Sequence, residues 1–176
     1  MNFIDSDICR RVLSTSYLFD VLSSADLDLL RCYPNYGRVC CIKGFDRRSF
    51  AFNTRAAPSD YDRQFEIPRR VIDLGIDVYG YVTLTSPHED GIAEGVCDLL
   101  DRLQAVDRNF PLRVVPLRIQ VFTPVEQRLA RDHDRERSLG VQEVAIAAWN
   151  TEIERRFDVS LRSTPTPDVR LGDGRR

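Results

Sequence analysis

The chain has 176 residues, 43% of them apolar and 30% charged, with a formal charge of −2. That length suits one globular domain burying roughly 70% of its unfolded surface, and it excludes a disordered or fibrous chain. Acidic and basic residues are interspersed, so no strong field draws nucleic acid or an anionic membrane surface. No apolar run approaches the ~20 residues of a membrane span, and Asp5, Asp7, Arg10 and Arg11 stand where a signal peptide needs apolar residues. Five cysteines, Cys9, Cys32, Cys40, Cys41 and Cys97, are an odd number at low density, which fits reduced thiols and an expected cytoplasmic location.

Residues 1–22 show no clean periodicity and carry no assignment. Ser24 is placed to cap a short helix over Ala25 to Arg31, and Pro34, Asn35 and Gly37 mark a turn. Arg38 to Lys43 reads as a strand whose continuous apolar run, Val39 to Ile42, predicts a parallel sheet, and Gly44 ends it. Asp46 to Phe52 suits a short helix. Ser59 to Leu74 suits a longer one, with Tyr61, Phe65, Ile72 and the offset pair Val71 and Leu74 inward, a kink or split expected at Pro68, and Gly75 in a left-handed cap. Ile76 to Thr85 alternates apolar and polar residues as a strand does. Ser86-Pro87-His88-Glu89 has the composition of a capping box, opening a helix whose stripe is Ile92, Val96, Leu99, Leu100, Leu103 and Val106. A third strand is predicted over Leu112 to Val121, followed by a second box, Thr123-Pro124-Val125-Glu126. After a charged connector, Arg131 to Arg137, comes a last helix with Val141, Val144, Ala145, Ala148, Trp149, Ile153 and Phe157 on its inner face. From Ser160 the chain is polar and broken by Pro and Gly, so a disordered, mobile tail is expected over 160–176.

The repeated strand and helix order predicts an α/β fold with parallel strands. Lys43, Thr85 and Thr123 end the three strands, 42 and 38 residues apart. About three βα units are too few to close a barrel, so either a small open sheet or a partial parallel (β/α) barrel over 23–159 is expected.

Ligands of parallel α/β folds sit at the C-terminal strand ends. Three segments qualify: Lys43 to Asp46, Thr83 to Asp90 and Arg118 to Glu126. Lys43 stands out, because the 25 basic residues comprise 24 arginines and this single lysine. A compact ammonium beside Gly44, which leaves room for a ligand, is suited to a carboxylate or phosphate. Tyr79, Tyr81, Thr83 and Thr85 share a strand face and would line a polar pocket if that face looks into a barrel. His88, Glu89 and Asp90 are consecutive and do not face one metal, the acidic pair suits a helix N-terminus, and His133 is expected on a solvated face. Cys40 and Cys41 project to opposite faces of a strand, no CxxC pair occurs, and no P-loop, dinucleotide, zincin or nucleophile-elbow string is present. No residue is assigned a catalytic or metal-ligating role.

The run CIKGFDRRSFAFNTRAA, Cys41 to Ala57, resembles a stretch of radical S-adenosylmethionine proteins related to glycyl-radical-activating enzymes. Lys43-Gly44, Phe50 and Thr54 match, while Arg55 stands where that stretch has glycine and Cys41 where its members often carry an acid. The similarity extends through Ile76 to Thr85 and Pro111 to Pro124, covering about Ser24 to Leu129. It implies a partial barrel in which Lys43, Gly44 and Thr83 contact S-adenosylmethionine, and a [4Fe–4S] cluster. The family's CxxxCxxC cluster motif is absent from this chain. Without three thiolates to hold the cluster there is no electron source. The resemblance therefore implies the C-terminal portion of such an enzyme, a fragment or a piece of a split protein, inactive alone and with a protein partner supplying the missing strands. A different class of reading is a non-catalytic α/β interaction module docking a partner through Trp149 and Phe157 on its last helix. A third is a transferase using Lys43 on an anionic substrate.

Overall fold

The computed structural model describes residues 12–14, 22–33, 36–120 and 133–172, with 12–14 and 133–136 as backbone only. The fold is α/β, built on an open parallel sheet. Its strands are β1 (Val12–Ser14), β2 (Tyr36–Lys43), β3 (Asp77–Thr83) and β4 (Val114–Leu117), in the spatial order β1-β2-β3-β4. Three residues pair β1 with β2, seven pair β2 with β3, and four pair β3 with β4. The first pairing lies where the sequence carries no readable pattern. The expected barrel is not shown: among the described residues the sheet stays open, with β1 and β4 at its edges.

Sequential order with parallel pairing places all crossovers on one side, because such connections are right-handed. Burial agrees. Cys40, Ile42, Val78, Val82 and Val114 share one face and lie in the core. The second face carries Cys41, Lys43, Tyr79, Tyr81 and Thr83, with Val115 and Leu117 exposed at 42% and 37%.

The helices form where apolar spacing and caps predict, with shifts at their ends. Ser23 rather than Ser24 caps α1 (Ser24–Arg31), in a reciprocal box with Asp26. Asp46 caps α2 (Arg47–Thr54) and pairs reciprocally with Ser49. The predicted long helix splits into a 3-10 segment, Pro58–Phe65, and α3 (Glu66–Asp73). The break falls before Pro68, which sits in the first turn of α3, where its missing N–H is not needed. Helix α4 (Ile92–Val106) starts later than the Ser86-Pro87-His88-Glu89 box predicts, from a left-handed Gly91. Ser86 Oγ instead accepts from the His88 amide, 3.1 Å away. The apolar stripe of α4 holds as predicted, with Ile92, Val96, Leu99, Leu100 and Leu103 buried. A 3-10 turn, Phe110–Arg113, occupies the start of the predicted third strand, which shortens to β4. The Thr123 to Glu126 box lies outside the described residues.

The last long helix, α5 (His133–Arg156), packs on α4 and begins inside the segment expected as a connector. Val141, Ala145 and Trp149 are buried as predicted, but Val144, assigned to the inner face, is 56% exposed. Arg156 ties the pair together. Its guanidinium donates to Asp101 Oδ1 at 2.5 Å, Gln104 Oε1 at 2.7 Å and the Cys97 carbonyl at 3.2 Å, and to Glu152 on its own helix at 2.9 Å.

Residues 160–172 do not form the disordered tail expected from their composition. After α6 (Val159–Arg162) the chain turns back to the N-terminal end of the sheet. Arg113, its side chain 7% exposed, donates to Val169 O at 2.7 Å, Pro167 O at 3.0 Å and Asp77 Oδ1 at 2.8 Å. Asn109 Nδ2 donates to Arg170 O at 3.1 Å, and Val169 is 3% exposed. Local composition reports a weak helix former; burial of Val169 and a planar guanidinium with three acceptors supply what it omits. Among the described residues no helix is long and apolar enough to cross a membrane.

Arg113→Met removes the charged partner of Asp77 and frees two tail carbonyls, so it lowers unfolding free energy by about 3 kcal/mol in urea titration and opens 160–172 to limited proteolysis. Hydrogen bonds from Arg155, and then Arg156, hold the Glu152 carboxyl down at about 2, against 4.5 for a free side chain. The folded value is the lower one, so this stabilisation is present above pH 4.5 and fades as the pH falls toward 2. Glu152→Gln therefore costs about 1 kcal/mol at neutral pH, and its unfolding curve converges with that of the parent protein in strong acid.

Candidate functional site

The three residues proposed as a binding corner meet at the C-terminal ends of β2 and β3. Lys43 and Thr83 are register partners on the same face, and Lys43 Nζ donates to Thr83 Oγ1 at 3.2 Å. One step on, the Gly44 amide donates to the Thr83 carbonyl at 2.9 Å. Thr83 is 5% exposed, and Lys43 is half-buried.

Gly44 has φ +75°, and a Cβ there would lie 2.3 Å from the Phe50 amide nitrogen. The glycine thus brings the strand end directly against the start of α2, a close approach no other residue permits. The turn that follows is tied on both sides. Ser49 Oγ, fully buried, accepts from the Phe45 amide at 2.9 Å, and Tyr61 Oη donates to the Phe45 carbonyl at 2.9 Å. Burial pushes the Tyr61 phenol far up, so it stays a donor. Its ring meets Phe50 and Phe65 edge to face, at 5.8 and 5.4 Å.

Sequence reasoning missed two glutamines. Gln64 Oε1 accepts from the Lys43 amide at 2.8 Å, and its Nε2 donates to the Lys43 carbonyl at 3.4 Å. Gln142 repeats the device at the end of β4, accepting from Ile119 N at 2.8 Å and donating to Ile119 O at 3.3 Å. Each side-chain amide stands in for a neighbouring strand and satisfies both backbone groups of one residue. Gln64 lies 21 positions from its partner on a 3-10 segment, and no local pattern announces such a pairing.

The other candidates disperse. Tyr79 and Tyr81 share the open face, ring centroids 6.1 Å apart, with Thr83. Thr85 lies past the end of β3, and its hydroxyl donates to Asn53 Oδ1 at 2.6 Å, bracing α2 instead of lining a pocket. Glu89 pairs with Arg137 at 3.8 Å and Asp90 with Arg48 at 3.0 Å, while His88 is exposed. The Arg48 hydrogen bond holds the Asp90 carboxyl below the usual range. Among the described residues no group of three His, Cys, Asp or Glu side chains is placed to hold a metal. Cys40 is buried and Cys41 exposed on the opposite face, Cys32 is exposed, and Cys97 contacts Arg156. The His133 side chain, Cys9 and the segment 121–126 lie outside the description.

Trp149 and Phe157, the residues offered for docking a partner, are 3% and 5% exposed. They belong to the chain's own core and present no surface.

Arg55 ends α2 at φ +60°, the only non-glycine residue with positive φ among those described. Arg55→Gly therefore relieves backbone strain and raises stability by about 0.5–1 kcal/mol, whereas Gly44→Ala clashes with the α2 backbone and lowers it by about 2 kcal/mol or more; thermal unfolding of the two variants tests both signs. Comparison of the chain with protein-family models, with curated proteins and with solved structures gives no match.

Proposed function

We propose that the chain is the C-terminal portion of a radical S-adenosylmethionine enzyme barrel, retaining ligand-binding residues but inactive in radical chemistry alone. The observation that carries the reading is the Lys43–Thr83 contact beside Gly44 at the C-terminal strand ends, the edge where such barrels hold their ligands. Two further features support it. The strands run in sequential order with their covering elements on one face, as in a barrel segment, leaving a tyrosine-bearing face where an interior would be. Arg55 adopts the left-handed conformation at the position where the resembling stretch has glycine.

The donors fit the carboxylate end of S-adenosylmethionine: an ammonium offers three protons, and Thr83 takes one. The cysteines do not fit a cluster. The sequence lacks CxxxCxxC, and the described thiols sit on separate faces and elements. In this reading the chain's own residues bind and orient a ligand, and a protein partner adding strands at the short β1 edge supplies the remainder.

The test combines binding and turnover. In equilibrium dialysis, S-adenosylmethionine binds saturably, and Lys43→Met weakens it by roughly tenfold or more. After anaerobic treatment with iron and sulfide, the chain given dithionite and S-adenosylmethionine yields no 5′-deoxyadenosine. Formation of that product by the chain unaided, or no binding at all, overturns the reading.

A further inference from the structure

We propose that Lys43 and Thr83, with Gln64 as their positioning residue, form a binding site for a small oxyanion: the carboxylate or phosphate group of a ligand. The inference stands on the geometry of the strand ends and not on the radical-enzyme reading.

Lys43 as a residue is half-buried, and among the described residues its ammonium donates only to Thr83 Oγ1 and forms no ion pair with a carboxylate. Two largely buried arginines behave differently. Arg113 and Arg156, with side chains 7% and 8% exposed, each hold carboxylates. An ammonium with no carboxylate beside it has protons left to donate, and an oxyanion accepts them. Two ammonium protons remain, and Thr83, having accepted one hydrogen bond, has its own O–H to give. Three donors, two of them charged, converge from adjacent strands, and charge-assisted bonds of this kind are the strong ones.

Position is secured before a ligand arrives. Gln64 holds the Lys43 amide and carbonyl together, at 2.8 and 3.4 Å, so the side chain leaves the strand from a fixed backbone. The Gly44 amide, bound to the Thr83 carbonyl, keeps the two strand ends in register. A backbone fixed in this way lowers the entropic cost of ordering the site, leaving only the lysine stem to be ordered when an anion binds.

Because Lys43 is the only lysine in the chain, protein labelled with carbon-13 lysine gives a single ε-methylene signal. We expect that signal to move saturably as inorganic phosphate or acetate is added at constant ionic strength, with chloride as the matched control. Saturation by one anion alone identifies the group preferred. Drift that is unsaturable, or equal with chloride, means an adventitious ion only and overturns the proposal. Thr83→Val weakens binding by roughly tenfold, and Thr83→Ser, which keeps the hydroxyl, restores it. Arg48→Gln, at an exposed arginine near the same edge, leaves the affinity unchanged. Gln64→Leu shifts the starting position of the signal and weakens binding while the thermal unfolding midpoint shows the fold retained; wild-type affinity in that variant removes Gln64 from the site. If Gln64→Leu does not fold, the two Thr83 variants decide. Saturation by phosphate together with failure to bind S-adenosylmethionine leaves this site standing and removes the reading of the preceding section.

Discussion

The register between β2 and β3 is the constraint on which the rest depends. Side chains alternate across a strand, so a slip of one residue would turn either Cys40 and Ile42 or Val78 and Val82 out of the core. Burial of that face therefore fixes the pairing to a single solution. The same solution sets Lys43 opposite Thr83 and carries both to the C-terminal edge. The hydrophobic effect, acting on residues that have no chemistry, thus decides where the ammonium stands. Gly44 completes the arrangement by letting α2 begin directly against the strand end.

Charge is handled differently at the two ends of the sheet. At the N-terminal end, Arg113 gathers a carboxylate and two carbonyls and locks the C-terminal segment in place. A planar guanidinium with several directed donors is suited to such a structural knot. At the C-terminal end stands an ammonium, a compact charge on a flexible stem, with a hydroxyl beside it and a glutamine clamping its backbone. One end consumes its donors in holding the fold, and the other keeps donors in reserve. That asymmetry matches the division of labour in parallel α/β sheets, where one edge stabilises and the other binds.

Much of the architecture was legible. The apolar stripe of α4, the burial of Trp149 and Ala145 on α5, the parallel strand ending at Lys43, a second one read to Thr85 that stops two residues earlier, and a short helix just after Gly44 follow from spacing and residue type. Element ends were less so. The Ser86 to Glu89 string has the composition of a capping box, yet Ser86 serves a turn and α4 starts later, because a cap is decided by where the chain must go as well as by local chemistry. Val12 to Ser14 and residues 160–172 looked patternless, since their place comes from distant partners, β2 for one and Arg113 for the other. Neither partner leaves a local trace.

By itself the sequence determined the α/β class, the inward stripes and the singular lysine beside a glycine, because periodicity, turn chemistry and composition are local properties. The tertiary structure alone decided that the sheet stays open, that the tail returns to Arg113, and that Gln64 and Thr83 meet Lys43. Those contacts join residues 21, 40 and more than 50 positions apart. Hydrogen bonds at such separations form only after the chain has collapsed around a common core, and no window of sequence contains both partners.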